Sequence, residues 1–392
     1  MAEPQSLPSG VEKKLAKEGP RKLLALDSGG IRGLMTIEIL AEIERTLRKL
    51  FQRGDDFVLA DYFDYIGGTS IGAITAMCLA LGMSIDAIRK FYVRAAPAMF
   101  HKNPWWQRWR NKYRSDQLKL MIKTVIDLIS AETPEKRNEL QGALGSAKLR
   151  TLLLLVMRNA TTDSAWPVSN NPRACYNCNM DDPACNLKLP LWQLVRASAA
   201  APSFFEPEVI RLGSQTFVFD DGAMTPFGNP AFQLFLMATA SPYCLNWPTG
   251  EEKMLLVSVG TGNFSQAHKA APGGEDLLHL AARMPGFLIG GSASHQDCLC
   301  RIFGNCKAGD PIDSEIGDLI GDQGGPVRPK LFTYLRYNAD LTAEGLARLE
   351  LTGIDAANIQ RLDACANVPH LQTIGRAVAV NVKAEHFSDF PP

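Results

Sequence analysis

The feature that most constrains this chain is a unit that occurs twice near its start: a short apolar run, a glycine turn, then an amphipathic or apolar helix. Residues 22–27 (Lys-Leu-Leu-Ala-Leu-Asp) have the apolar continuity of a strand buried on both faces, and they stop at Ser28-Gly29-Gly30. Beyond the turn, Ile37, Leu40, Ile43, Leu47 and Leu50 recur at steps of three and four, which predicts a helix with one apolar face. The unit then recurs: a strand over 63–66, the turn 67–72, and an apolar helix over 73–81 closed by Gly82. Strands alternating with helices predict an α/β fold, a parallel sheet covered on both faces. Further strands are expected at 151–157, 216–219, 254–259 and 331–335, and helices near 84–94, 115–130, 190–200, 227–239 and 368–382.

Two of the turns carry chemistry. Gly68-Thr-Ser70-Ile-Gly72 lies between a strand and a helix, where Gly-x-Ser-x-Gly forms a nucleophile elbow that exposes the serine hydroxyl. The glycines suit a turn in which backbone packs on backbone, and the helix that follows aims its positive end at the serine. The competing reading is a tightly packed glycine turn with an inert serine. In the earlier turn, Gly29-Gly30-Ile31-Arg32-Gly33 does not satisfy the dinucleotide pattern, because position 28 is Ser and the two glycines are adjacent. No Lys-Ser/Thr pair follows, which excludes a P-loop. What remains is an oxyanion hole built from the N–H groups of Gly29, Gly30 and Ile31 with Arg32 beside them, or a plain helix-start turn.

An activated serine needs a base. None of the six histidines sits at a turn that ends a strand, whereas residues 216–219 are strand-like and run into Asp220-Asp221-Gly222. A partly buried carboxylate hydrogen-bonded to the serine can take its proton. Asp-Gly is by itself a common turn signature, so Asp221 gains weight only from its company.

The ordered set of Asp27-Ser-Gly-Gly-Ile-Arg-Gly33, Gly68-Thr-Ser-Ile-Gly72 and Asp221-Gly222-Ala223 leading to Gly228-Asn-Pro230 resembles the patatin-like phospholipases. Residues 196–207 and 256–262 look like further signatures of that family, and the similarity spans roughly 20–380. The resemblance implies a three-layer α/β/α sandwich with a mostly parallel central sheet. It also implies Ser70 as nucleophile, Asp221 as its partner in a dyad, residues 29–32 as oxyanion hole, and hydrolysis of phospholipid or lysophospholipid acyl esters without metal or cofactor. Ser28 departs from the family, which usually has glycine there. Within the family the alternatives are a non-catalytic storage or binding protein and a ligand-activated, membrane-degrading defence effector.

Around the core, residues 1–20 read as a loose arm preceding one domain over 21–385, with rim insertions near 97–114 and 158–190. The first insertion holds five aromatics and five Lys/Arg with no acid; Trp105, Trp106 and Trp109 are candidates for membrane contact, the alternative being an aromatic cover over the core. The second contains Cys175, Cys178 and Cys185, an incomplete zinc pattern, as is the group Cys298, Cys300 and Cys306. Lys plus Arg equals Asp plus Glu at 41 each, so no global charge favours a nucleic-acid polymer. Nine cysteines, no apolar leader and no run of about 20 apolar residues predict a cytoplasmic protein that can meet a membrane only at its surface.

Overall fold

A computed structural model describes residues 9–99, 113, 115–130, 142–202, 204–263, 277–313, 315–321 and 324–392. Its strands are β1 (Arg21–Leu26), β2 (Tyr65–Thr69), β3 (Leu152–Asn159), β4 (Ser164–Ser169), β5 (Glu208–Leu212), β6 (Gln215–Asp221), β7 (Met254–Val259), β8 (Asn305–Ala308) and β9 (Thr333–Tyr337). They form one sheet in the order β5-β6-β3-β2-β1-β7-β9-β8, with β4 also paired to β3. The run from β3 to β8 is parallel, and the antiparallel pairings are confined to β4, β5 and β6.

The helices are α1 (Ser9–Ala16), α2 (Gly33–Leu50), α3 (Leu59–Tyr62), α4 (Ile71–Ala80), α5 (Ile85–Met99), α6 (Ser115–Ser130), α7 (Leu191–Ser198), α8 (Ala231–Thr239), α9 (Leu277–Phe303), α10 (Ala343–Arg348), α11 (Ala356–Ile359) and α12 (Val368–Ala379). The strand at the centre shows how the layers form. Leu24 and Leu26 of β1 join the core made with α2, α4, α7 and α12, while Leu23 and Ala25 join the core made with α1 and α8. A strand whose alternate residues enter two cores has no polar face, which is why residues 23–26 read as a continuous apolar run. Each fully buried leucine contributes roughly 2 kcal/mol.

The expected loose arm is, from Ser9 onward, a docked helix. Val11 and Leu15 are buried against the sheet, and Arg21 donates to the Lys14 and Lys17 carbonyls at 2.6 and 2.5 Å. Its eight residues, little more than two turns, carry too short a period to mark a helix in the sequence.

Of the first insertion, α5 runs on to Met99 and Tyr113 is placed, whereas Trp105, Trp106 and Trp109 lie outside the described residues. The second insertion takes in the end of β3, the turn, β4 and then a turn-rich loop. There Cys175 and Cys178 are exposed, while the Cys185 thiol is buried against the Asn177 carbonyl at 3.6 Å. Among the described residues no group of three or more His, Cys, Asp or Glu is arranged to hold a metal ion. No described helix is long and apolar enough to cross a membrane.

Candidate active site

Every element of the site lies where adjacent strands end. In the sheet register Gly68 stands beside Leu26 of β1, and Thr69 beside Val156 of β3. The chain then turns through Ser70 at φ 57°, ψ −121°, and α4 begins at Ile71. That backbone is one that side-chain-bearing residues rarely adopt, so its neighbours must enforce it. They do so by contact: a Cβ at Gly68 would stand 2.2 Å from the Gly72 carbonyl oxygen, and one at Gly72 would stand 2.3 Å from that of Leu26. The Ser70 N–H donates to Ser198 Oγ at 2.9 Å, and the Ser198 hydroxyl donates onward to the Val156 carbonyl at 2.5 Å.

The acid comes from the antiparallel side. β6 meets β3 with Asp221 opposite Met157, one residue beyond the Val156–Thr69 pair. This register brings Asp221 Oδ2 to 2.6 Å from Ser70 Oγ. Its other oxygen, Oδ1, accepts from the Ala223 N–H at 2.8 Å. Asp221 is 2% exposed and Ser70 8%. Burial pushes the Asp221 carboxyl up to about 7, against the lowering effect of the two hydrogen bonds. Neighbouring strand residues face opposite sides, so Asp220 points away and pairs instead with Arg158 at 2.9 Å. Gly222 is required by crowding, because a Cβ there would lie 2.2 Å from the Val156 carbonyl oxygen. The hydrogen bonds of Ser70 and Asp221 in the described structure involve no histidine.

The glycine loop completes the site from the β1 side. Gly29 and Gly30 have φ of 155° and 58°, after which a 3-10 turn (Gly30–Arg32) leads into α2. A Cβ at Gly33 would stand 2.9 Å from Ile71 Cγ1, so this loop abuts the elbow directly. Four segments hold it. Ser28 donates through its N–H to the Gly228 carbonyl at 2.8 Å, and its own carbonyl accepts from the Thr261 hydroxyl at 2.5 Å. Leu362 O accepts from the Ile31 N–H at 2.9 Å, and Asp27 is bound by Arg336.

The Leu362 contact corrects one expectation: the Ile31 amide is committed to a backbone acceptor and does not face an oxyanion. Among the described residues the Gly29 and Gly30 amides have no acceptor. Arg32 is buried, with Nε 3.4 Å from the Gly29 carbonyl and an NH1 3.5 Å from that of Gly262. Burial lowers its pKa to about 10, which leaves it a cation at neutral pH.

A serine on a strained strand-to-helix turn, a buried carboxylate 2.6 Å from its hydroxyl and a glycine loop with two unengaged amides meet the description of a family. The family model of the patatin-like phospholipases matches residues 24–234, more than half of the chain. The chain belongs to this family. It is 29% identical over 220 residues to the cGAMP-activated phospholipase of Vibrio cholerae, covering 54% of this chain and 56% of that protein. It is 28% identical over 268 residues to Patatin-17 of Solanum cardiophyllum, covering 63% and 62%. The 85/88 kDa calcium-independent phospholipase A2 of Rattus norvegicus is 29% identical over 187 residues, 47% of this chain and 21% of that one. The chain therefore spans less than two thirds of the length of these relatives.

For this patatin-like chain the sequence brought out Ser70, Asp221 and the loop glycines, and the structure brings them together. It did not bring out Ser198, Thr261 and Arg336 as parts of the site. Ser198 and Thr261 stand inside stretches whose resemblance to family signatures was visible, without any sign of what their hydroxyls touch. Arg336 follows directly on the expected strand 331–335, and nothing local linked it to Asp27. It and Thr261 also lie outside the matched stretch.

Proposed function

We propose that this chain is a lipid acyl hydrolase of the phospholipase A or lysophospholipase type, acting through a Ser70–Asp221 dyad. The observation that carries the reading is the 2.6 Å contact between Ser70 Oγ and a buried Asp221 whose pKa is raised to about 7. A carboxylate tuned to that range is ionised in a large fraction of molecules at neutral pH, yet basic enough to take a proton as a bond forms. Ser70 Oγ attacks the ester carbonyl carbon while Asp221 takes the hydroxyl proton. The carbonyl oxygen becomes an oxyanion facing the Gly29 and Gly30 amides, with the Arg32 cation behind them, and such donors are worth about 3–4 kcal/mol each. Collapse breaks the ester bond, and Asp221 returns its proton to the departing alcohol. Water, deprotonated by Asp221, then attacks the acyl-enzyme and releases the fatty acid and free Ser70.

Phospholipids or lysophospholipids are the proposed substrates, supported by the names of two relatives. Docking at a membrane surface through Trp105, Trp106 and Trp109, from a cytoplasmic location, is part of the same proposal. The decisive test is turnover of a p-nitrophenyl acyl ester and of a lysophospholipid by wild type, Ser70→Ala and Asp221→Asn. Loss of about 10³-fold or more in both variants is expected. No wild-type activity on any ester would favour a storage or binding protein instead. Liposome sedimentation of Trp105→Ala/Trp106→Ala tests the docking surface, and unchanged binding would dismiss it.

The likeness to the cGAMP-activated phospholipase favours a second reading compatible with the first, in which a nucleotide ligand switches this hydrolase on. Addition of cyclic GMP-AMP to the lysophospholipid assay separates the two. A rise of tenfold or more, on the order of 1.4 kcal/mol in barrier, supports the switch, and an unchanged rate removes it.

A further inference from the structure

The loop that faces Ser70 starts from a buried charge. Asp27, the last residue before Ser28-Gly29-Gly30, is 5% exposed, and its partner Arg336 is 4% exposed. One guanidinium nitrogen of Arg336 lies 3.0 Å from Asp27 Oδ1 and the other lies 2.6 Å from Oδ2, a forked pair. The arginine reaches Asp27 from two strands away. In the register Arg336 of β9 stands beside Ser258 of β7, and its guanidinium also donates to Ser258 Oγ at 2.7 Å as it crosses. Gly260 makes that crossing possible: a Cβ there would stand 2.0 Å from Asn338 Oδ1 and 3.0 Å from an Arg336 nitrogen.

Asp27 in turn touches the elbow. Its carbonyl oxygen would be 2.7 Å from a Cβ on Gly72, so the backbone that carries the carboxylate packs against the turn that carries Ser70. A buried carboxylate without a partner at this point would repel an oxyanion forming on the adjacent loop, and would be costly to keep ionised. A forked arginine both cancels the charge and fixes the direction in which the strand leaves the sheet.

We infer that Arg336 is a positioning residue for the oxyanion loop: through Asp27 it holds residues 27–30 in place and neutralises the carboxylate beneath them. The inference rests on Ser70 being the nucleophile. The residue acts through Asp27 and does not touch the reacting atoms. It thus makes β9, about 100 residues beyond the stretch matched by the family, part of the catalytic apparatus.

The experiment compares wild type, Arg336→Met, Arg336→Lys and Asp27→Asn/Arg336→Met on a soluble p-nitrophenyl ester, together with amide hydrogen exchange over residues 27–33. Arg336→Met is expected to lose about 100-fold in kcat, the scale of a lost oxyanion donor, with KM within about threefold. Arg336→Lys keeps the charge but not the fork and falls between. The double variant, which has no bare carboxylate, recovers about tenfold over Arg336→Met, although it lacks the same bonds. Exchange over 27–33 speeds up in Arg336→Met and remains slow over β2 and α4. A kcat within threefold of wild type, a double variant as slow as the single one, or unchanged exchange over 27–33 overturns the inference. If wild type turns over no ester, the proposed function fails, and the exchange measurement alone decides whether Arg336 holds the loop.

Discussion

Where β2 passes into α4 the chain reverses through a single residue, Ser70; where β1 passes into α2 it takes the stretch 27–30 and a 3-10 turn. The two turns lie side by side on parallel strands and serve one site, yet they are held differently. The elbow is fixed by close backbone packing at Gly68 and Gly72 and by one hydroxyl, that of Ser198. The glycine loop is held by polar groups from residues 228, 261, 336 and 362. A turn that depends on what it excludes is written in its own five residues. A turn that depends on what reaches it is written across the whole chain.

The largest effect should come where the two turns touch. Gly72→Ala sets a Cβ against the Leu26 and Asp27 carbonyl oxygens, both backbone, so neither can yield cheaply. A loss of about 3 kcal/mol or more is expected, read as a fall in Tm and in soluble yield. Gly29→Ala is also strained, by its φ of 155° and by a Cβ 2.1 Å from the Thr261 hydroxyl, but it meets one side chain rather than two backbone carbonyls, so the Tm should fall by less than in Gly72→Ala while kcat drops about 100-fold. If Gly29→Ala unfolds the protein as Gly72→Ala does, the contrast between the turns fails.

Next in size is the linkage at Asp221. Its carboxyl is raised from 3.8 to about 7 by burial, so the native state holds the proton more tightly than the unfolded chain between those values. The resulting stability is fully present below pH 3.8 and is lost as pH rises through about 7. Asp221→Asn cannot ionise and escapes that loss. It should be more stable than wild type at pH 8 by on the order of a few kcal/mol, and about equal at pH 4, by chemical denaturation. In wild type kcat/KM should rise with pH through an apparent pKa near 7 as the base form appears. An acid limb near 4 would contradict the burial argument.

Ser198→Ala is a smaller change that tests the elbow alone. It removes the acceptor of the Ser70 N–H and the donor to Val156. About 1–3 kcal/mol of stability and roughly tenfold in kcat should be lost, with exchange over 27–33 unaltered. The smallest effect belongs to Asp220→Asn. Its carboxylate meets Arg158 at the partly exposed rim, so stability should change by about 0.5 kcal/mol or less and activity by less than about threefold. Loss of activity in Asp220→Asn but not in Asp221→Asn would exchange the roles of the two acids.

The same contrast explains what could be read in advance. β1, β2, β3 and β7 are buried on both faces, and their apolar runs announced them. β4 and β5 were not anticipated: β4 carries Pro167 and half-exposed residues, and β5 buries only Ile210 fully. α9 has no helical signature in the sequence, because Pro285, Gly286, Gly290 and Gly291 interrupt it with residues that disfavour helix. Ser70 could be read from its pentapeptide and Asp221 from its place at a strand end. The Arg336–Asp27 pair could not, since 309 residues separate its members and neither has a local pattern.

The position of β1 has a consequence for biosynthesis. This strand is translated before both of its partners: its β2 neighbour follows soon after, but its other edge waits for β7, and the Ser28–Thr261 bond spans 233 residues. At roughly 5–20 residues per second, an open and largely apolar strand edge persists on the nascent chain for on the order of 10–50 s. During that interval the half-made sheet is open to pairing with a neighbouring nascent chain. Slower translation of the stretch between β6 and β7 would lengthen the exposure, which makes the yield of this protein sensitive to holdase chaperones as well as to its final stability.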